Sequence, residues 1–281
     1  MAFNELFDET LDINSTANYK LSIQVSLDGF YFSLLDILRN KFVLYRSYEP
    51  ADDSQFSFDD ISKVLREDDF LGRSFSSVII SAPSPKATII PAALYDPAGR
   101  NDYLSLNSEI GKSEVVRLNR LTYPDAYLIF SVNSDIAAVM AGSFPAAEPV
   151  HHLKPLLYNL LLANIAQSEA ALHLHVEKSF INMVCLDGNK VKLCNTFEYR
   201  SISDLLYYVL FVADKAGVVP GKSTITTSGA TTRFDEIWTS VTGHFRSVKY
   251  SRPHVKALFS YVFNEELLHR HLNLFTLNDC A

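Results

Sequence analysis

YKLSIQVSLDGFYFSLLD, residues Tyr19 to Asp36, alternates apolar and polar side chains up to an Asp28-Gly29 pair and resumes an apolar run after it. Period-two alternation marks a half-buried strand, and Asp-Gly is a strong hairpin signal because Gly accepts positive φ. The stretch predicts two antiparallel strands hinged at Asp28-Gly29. A turn at Arg39-Asn40-Lys41 leads into a third strand, FVLYRSY (Phe42–Tyr48). A helix (Phe58–Glu67) and an apolar strand (Ser77–Ala82) follow.

The same order returns in the second half. ALHLHVE (Ala171–Glu177) and SFINMVCL (Ser179–Leu186) precede a Gly188-Asn189-Lys190 turn and the strand VKLCNTF (Val191–Phe197). Ser201–Gly217 is a predicted helix with a serine cap and a terminal glycine. STITTS (Ser223–Ser228), a helix over Thr231–Phe245 and RSVKYS (Arg246–Ser251) complete the set. Three meandering strands, a helix and a strand, twice over, predict an α/β protein of two lobes, each a mixed sheet with flanking helices. Between the halves lie a strand pair (Glu114–Leu121, Ala126–Asn133), a short helix (Ser134–Gly142), a Pro-containing loop (Phe144–Pro149) and a long apolar helix over Leu153–Ala166. That loop places the boundary, giving lobes at 1–148 and 149–281.

The chain has 281 residues, of which 48% are hydrophobic and 20% charged, enough apolar mass for a core in each lobe. Its net charge of −7, without a basic run, disfavours a nucleic-acid partner, which would require cations for the phosphates. The acidic start is unlike a signal peptide, and the apolar stretches fall short of the ~20 residues of a membrane helix. A cytoplasmic location is therefore expected, with no membrane association. Cys185, Cys194 and Cys280 show no metal-type spacing. With a regular hairpin, Cys185 and Cys194 would share a face one pair apart, as reduced thiols.

The Tyr19–Asp36 stretch, taken with NTFEYRSISDLLYYVLF (Asn195–Phe211), resembles an uncharacterised bacterial family with a divergent actin-like ATPase fold. The resemblance spans most of the chain from about Tyr19. It implies a duplicated ribonuclease H-like fold and, in active members of the superfamily, ATP between the lobes. Such members end the first strand in Asp-x-Gly-Thr/Ser, where Gly lets backbone N–H groups approach phosphate. Here Leu27 holds the acidic position, Asp28 is displaced by one and Phe30 replaces the hydroxyl residue, placing a ring where phosphate oxygens would sit. The second hairpin reads Glu177-Lys178-Ser179, keeping an acid and losing the glycine. The adenine-side pair of glycines is reduced to Gly229, after Ser228. Asp28, Gly29, Glu177, Ser179, Ser228 and Gly229 therefore mark a vestigial nucleotide cleft. The implied function is a non-enzymatic scaffold or protein-binding module with no cofactor and an unidentified protein partner. The alternative is a divergent ATPase or kinase holding ATP and Mg²⁺ through Asp28, Glu177 and Ser179.

Other signals yield no chemistry. Gly111-Lys112-Ser113 and Gly221-Lys222-Ser223 lack the upstream glycine of a phosphate loop and precede strands. His173 and His175 share a strand face without a third metal ligand at suitable spacing, so they read as solvated or packed side chains, as do His151, His152, His269 and His271. No catalytic triad pattern is present. Asn195, Phe197, Tyr199, Asp204, Tyr207 and Tyr208 form a polar-aromatic cluster, read as a helix start and core with an aromatic docking surface as its functional alternative. The C-terminal stretch is predicted to fold back on one lobe, its Phe275-Thr276-Leu277 tip being a candidate insertion element.

Overall fold

The computed structural model describes residues 1–51, 54–164 and 170–280. In chain order the elements of the first half are β1 (Ala2–Phe7), β2 (Tyr19–Ser26), β3 (Gly29–Asp36), β4 (Lys41–Glu49), α1 (Phe58–Glu67), β5 (Ser77–Ser81), β6 (Ala87–Pro91), α2 (Arg100–Ser105), β7 (Glu114–Leu121), β8 (Ala126–Asn133), α3 (Ser134–Ser143) and β9 (Pro149–Val150). Then come α4 (Leu153–Asn164), β10 (Ala170–Val176), β11 (Phe180–Asp187), β12 (Lys190–Glu198), α5 (Ile202–Ala216), β13 (Thr224–Gly229), α6 (Glu236–Thr242), β14 (Ser247–Tyr250), β15 (Leu258–Phe259), α7 (Glu265–Arg270) and α8 (Leu272–Thr276). The helix expected over Leu153–Ala166 is seen as α4, its last two positions lying outside the described residues.

Two compact units result. The first comprises 1–155, 255–264 and 273–281, the second 156–254 and 265–272. A single cut at 148/149 misses this interleaving, because the C-terminal segment returns to the first unit. Phe275 explains the return: it is fully buried among Phe42, Tyr45, Phe259 and Phe263 of that unit. Phe275 and Leu277 are therefore core residues, not a tip free to enter a partner.

Among the described residues the first unit has a sheet of order β1-β4-β3-β2-β5-β9, with β15 also on β4, and the second a sheet of order β12-β11-β10-β13-β14. In both, the first three strands of the repeat run antiparallel and the later ones add in parallel. The duplication extends to irregularities. Asp36 pairs with Lys41 and Leu35 with Phe42, after which Leu34 pairs with Leu44 and Val43 is extra. Asp187 pairs with Lys190 and Leu186 with Val191, after which Cys185 pairs with Leu193 and Lys192 is extra. One extra residue at the same place in each third strand is a conserved-geometry β-bulge, which reverses the facing of everything beyond it. Cys194 consequently lies opposite Val184, and the expected shared face of Cys185 and Cys194 is corrected: the two thiols point to opposite sides. Burial pushes the Cys194 thiol up to about 12.

Both helices after the third strands begin with the same device. Ser57 and Asp60 form a capping box on α1, and Ser201 and Asp204 form one on α5. Gly217 closes α5 in the left-handed conformation. Ser201→Ala leaves the Asp204 N–H without its side-chain acceptor. We expect it to lower the stability of the second unit by about 1 kcal/mol in a urea titration, with unchanged slope.

The first unit carries an insert between β5 and α3, a sheet of order β6-β8-β7. The Tyr123-Pro124 bond in its β7–β8 connection is cis. Both G-K-S strings occupy turns leading into β7 and β13, as their sequence context required.

Candidate functional site

The first hairpin turns one residue earlier than Asp28-Gly29 predicts. Ser26 pairs with Gly29, leaving Leu27 and Asp28 as the two-residue loop and Gly29 as the first residue of β3. Phe30, Phe32 and Leu34, at period-two spacing along β3, share the core face. The Phe30 ring is fully buried in the first unit, 6.4 Å from the Phe32 ring centre, so the expectation that it occupies a phosphate position is corrected. The Asp28 N–H donates to Ser26 Oγ at 3.2 Å, and the Leu27 carbonyl accepts from the Phe56 N–H at 2.9 Å. Gly29 is required by the protein itself: a Cβ there would stand 2.4 Å from the Tyr48 carbonyl oxygen.

The second hairpin is held from more directions. The Tyr199 hydroxyl donates to the Glu177 carbonyl at 2.9 Å, and the Tyr199 N–H donates to the Ser179 carbonyl at 3.2 Å. The Val176 carbonyl accepts from the Ala230 N–H at 2.8 Å. Gly229, at φ +90°, meets that same carbonyl: an added Cβ would lie 2.1 Å from the Val176 oxygen.

Around this hairpin the structure assembles a buried polar chain. β10 and β13 run in parallel register, His173 beside Thr226 and His175 beside Ser228. Thr226 Oγ1 lies 2.8 Å from His173 Nδ1, His173 Nε2 2.9 Å from Ser228 Oγ, Ser228 Oγ 2.8 Å from His175 Nδ1, and His175 Nε2 3.1 Å from Glu177 Oε1. One assignment of hydrogens serves all four contacts with neutral rings. Each hydroxyl donates to the Nδ1 of the next imidazole, each Nε2–H donates onward, and the Glu177 carboxylate accepts at the end. Burial drives the pKa of His175 down to about 3 and that of His173 well below its ordinary value, in agreement with neutral rings. His269 sits nearby on the same unit, its Nε2 2.8 Å from the Thr231 carbonyl and its ring stacked 3.7 Å from Tyr250.

Ser228, His175 and Glu177 are linked in the order of a nucleophile, base and orienting acid. Ser228 is completely buried, however, and its hydroxyl joins two imidazoles, so in this geometry it meets no substrate. Both ring nitrogens of His173 and of His175 are within hydrogen-bond distance of hydroxyl or carboxylate oxygens. Among the described residues no three His, Cys, Asp or Glu side chains converge as metal ligands.

The vestigial-site residues thus divide in two. Asp28 and Gly29 belong to the first unit, while Glu177, Ser179, Ser228 and Gly229 gather at one corner of the second. Sequence reading missed the joining of His173 and His175 to Thr226, Ser228 and Glu177; its only trace was the matched alternation of HLHVE and TTS. In the polar-aromatic cluster, Phe197 stacks on Tyr208 at 4.6 Å, while Tyr207 and Phe211 stack on the exposed side of α5. His151 and His152 are fully buried, and His151 Nε2 lies 3.0 Å from the Ser84 carbonyl. Among the described residues no helix is long and apolar enough to cross a membrane.

Comparison with known proteins agrees with the folded framework. A crystal structure from Bacteroides thetaiotaomicron VPI-5482, of a protein with an actin-like ATPase fold and unknown function, is 19% identical; the match covers 97% of this chain and all of that one, with a TM-score of 0.78. The PilM-PilN type IV pilus biogenesis complex matches at 11% identity over 92% of this chain and 97% of that one, with a TM-score of 0.60. No curated protein matches. A family model described as a protein of unknown function (DUF3822) matches residues 8–248, and the chain, an α/β protein of duplicated actin-like ATPase fold, belongs to that family.

Proposed function

We propose that this protein is a non-enzymatic scaffold or protein-binding module whose actin-like framework no longer holds nucleotide. One observation carries the reading: the groups that would serve phosphate are engaged by the protein's own atoms. The Asp28 N–H is bound to Ser26, the Glu177 carboxylate to His175, and Gly29 and Gly229 face backbone carbonyls, whose negative ends repel phosphate. The PilM-PilN structure supplies a precedent for this fold in a complex with a protein partner. A cytoplasmic site of action fits the composition.

The test is a thermal-shift titration with ATP and ADP, with and without Mg²⁺, on wild type and Glu177→Ala. A ligand at 100 times its Kd stabilises the native state by about 2.7 kcal/mol, readily resolved in a melting curve. The expected result is no saturable shift. A saturable shift in wild type that Glu177→Ala abolishes would establish a nucleotide site at Glu177 and overturn this reading in favour of the divergent ATP-binding alternative.

A further inference from the structure

The first unit contains a cavity of about 120 Å³ bounded by β2, β5, α3 and the inserted sheet. Val25, Ile80, Val132, Ile136, Ala137 and Met140 supply its apolar walls, and Arg117 and Glu148 its charged groups. Size decides what enters. Pockets for cofactors or drug-sized ligands begin near ~300 Å³, whereas a ~150 Å³ apolar cavity holds a molecule no larger than benzene. A nucleotide is too large, and one leucine- or methionine-sized side chain is about right.

Something must deliver that side chain, and β7 offers the means. Among the described residues no strand pairs with its outer edge, since the insert is ordered β6-β8-β7. Asn119 is occupied, its amide donating to the Pro149 carbonyl at 3.1 Å and its oxygen accepting from the His151 N–H at 2.8 Å. From Glu114 to Leu118 the strand is half-buried and rich in apolar residues, the kind of edge to which an extended chain adds. Arg117 lies on this segment, lines the cavity and makes no ion pair among the described residues. A guanidinium beside an apolar hole and an open strand edge selects an acidic group next to an apolar one.

We propose that an extended peptide segment of a partner protein adds to the open edge of β7, seats one apolar side chain in this cavity and places a carboxylate on Arg117. This deepens the scaffold reading and rests on it for its biological use, while the nucleotide titration tests that reading separately. The experiment is selection of random 12-residue peptides displayed on phage against the full-length protein, followed by binding of the synthetic peptides and amide hydrogen exchange. Expected are peptides with Leu, Ile, Met or Phe within two residues of Asp or Glu, binding with Kd of roughly 1–100 μM and slowing exchange at Glu114–Leu118. Ala137→Phe, which fills the cavity, and Arg117→Glu should each weaken binding at least about tenfold, and Arg117→Glu should exchange the acidic preference for a basic one. Far-UV circular dichroism establishes that both variants fold, and the exchange measurement on wild type needs neither. Failure to enrich any peptide, equal binding to both variants, or unchanged exchange in β7 would overturn the proposal. So would dimerisation lost in Ala137→Phe without peptide selection, since the occupant would then be a second copy.

Discussion

Gly229→Ala should destabilise the second unit by about 4 kcal/mol, a large part of the roughly 5–15 kcal/mol that holds an ordinary domain folded. The left-handed φ of +90° alone costs an L-residue about 1–2 kcal/mol. The larger part comes from placement, since the new Cβ would stand 2.1 Å from the Val176 carbonyl oxygen and 3.0 Å from His175 Cε1. That carbonyl is fixed by the Ala230 N–H and by the parallel pairing of β10 with β13. Relief therefore requires moving two central strands and the histidine chain with them. Gly243→Ala is the control, at the end of α6, where the nearest atoms lie at 3.5 Å and φ is helical. A denaturant titration in which the two variants differ by less than 1 kcal/mol would refute this explanation of Gly229.

Acid should unfold the second unit at a pH where most globular domains are stable. Burial lowers the pKa of His173, His175, His269 and His271 in this unit, to about 3 for His175 and about 4 for His269. His151 is lowered likewise in the first unit. Below the unfolded value of about 6.5 the unfolded chain binds protons that the folded one refuses, so stability falls with pH. It is fully present above ~6.5 and is lost as pH drops toward the folded values. His175 and His269 each contribute roughly 1.4 kcal/mol per pH unit below 6.5, or about 2 kcal/mol at pH 5, as an upper figure, and His173 and His271 act in the same direction. His175 and His269 together approach the lower end of the stability of an ordinary domain. Trp238, the single tryptophan, lies on α6 of this unit and reports its unfolding by fluorescence. Its transition in urea should move to lower concentration between pH 7.5 and 5, and His175→Gln should reduce the slope by one proton. A pH-independent midpoint would contradict the neutral, buried assignment.

The repeat could be read from the sequence because each of its parts is local. Alternation, the Asn-Lys turns and the Ser-x-x-Asp caps are all set by neighbours within four residues. What failed depended on register. One bulge residue, Lys192, turned Cys194 away from Cys185, and nothing in VKLCNTF announces a bulge. The first turn closes one residue early, on Leu27-Asp28, and Phe30 lies in the core with Phe32 and Leu34; period-two spacing gives their shared face but not that the sheet buries it. The histidine chain needed partners some fifty residues downstream, supplied only by parallel pairing. β1, β6 and the two-residue strands β9 and β15 were not predicted. They are short edge elements whose pairing is decided by the sheet they join.

Amide hydrogen exchange of the full-length protein with and without 1 mM ATP and Mg²⁺ addresses both hairpins at the residues concerned. If their polar groups are satisfied internally, exchange at Leu27–Gly29 and Glu177–Ser179 is unchanged by nucleotide. Protection confined to those two segments would show that they still cradle phosphate, and the scaffold reading would fall.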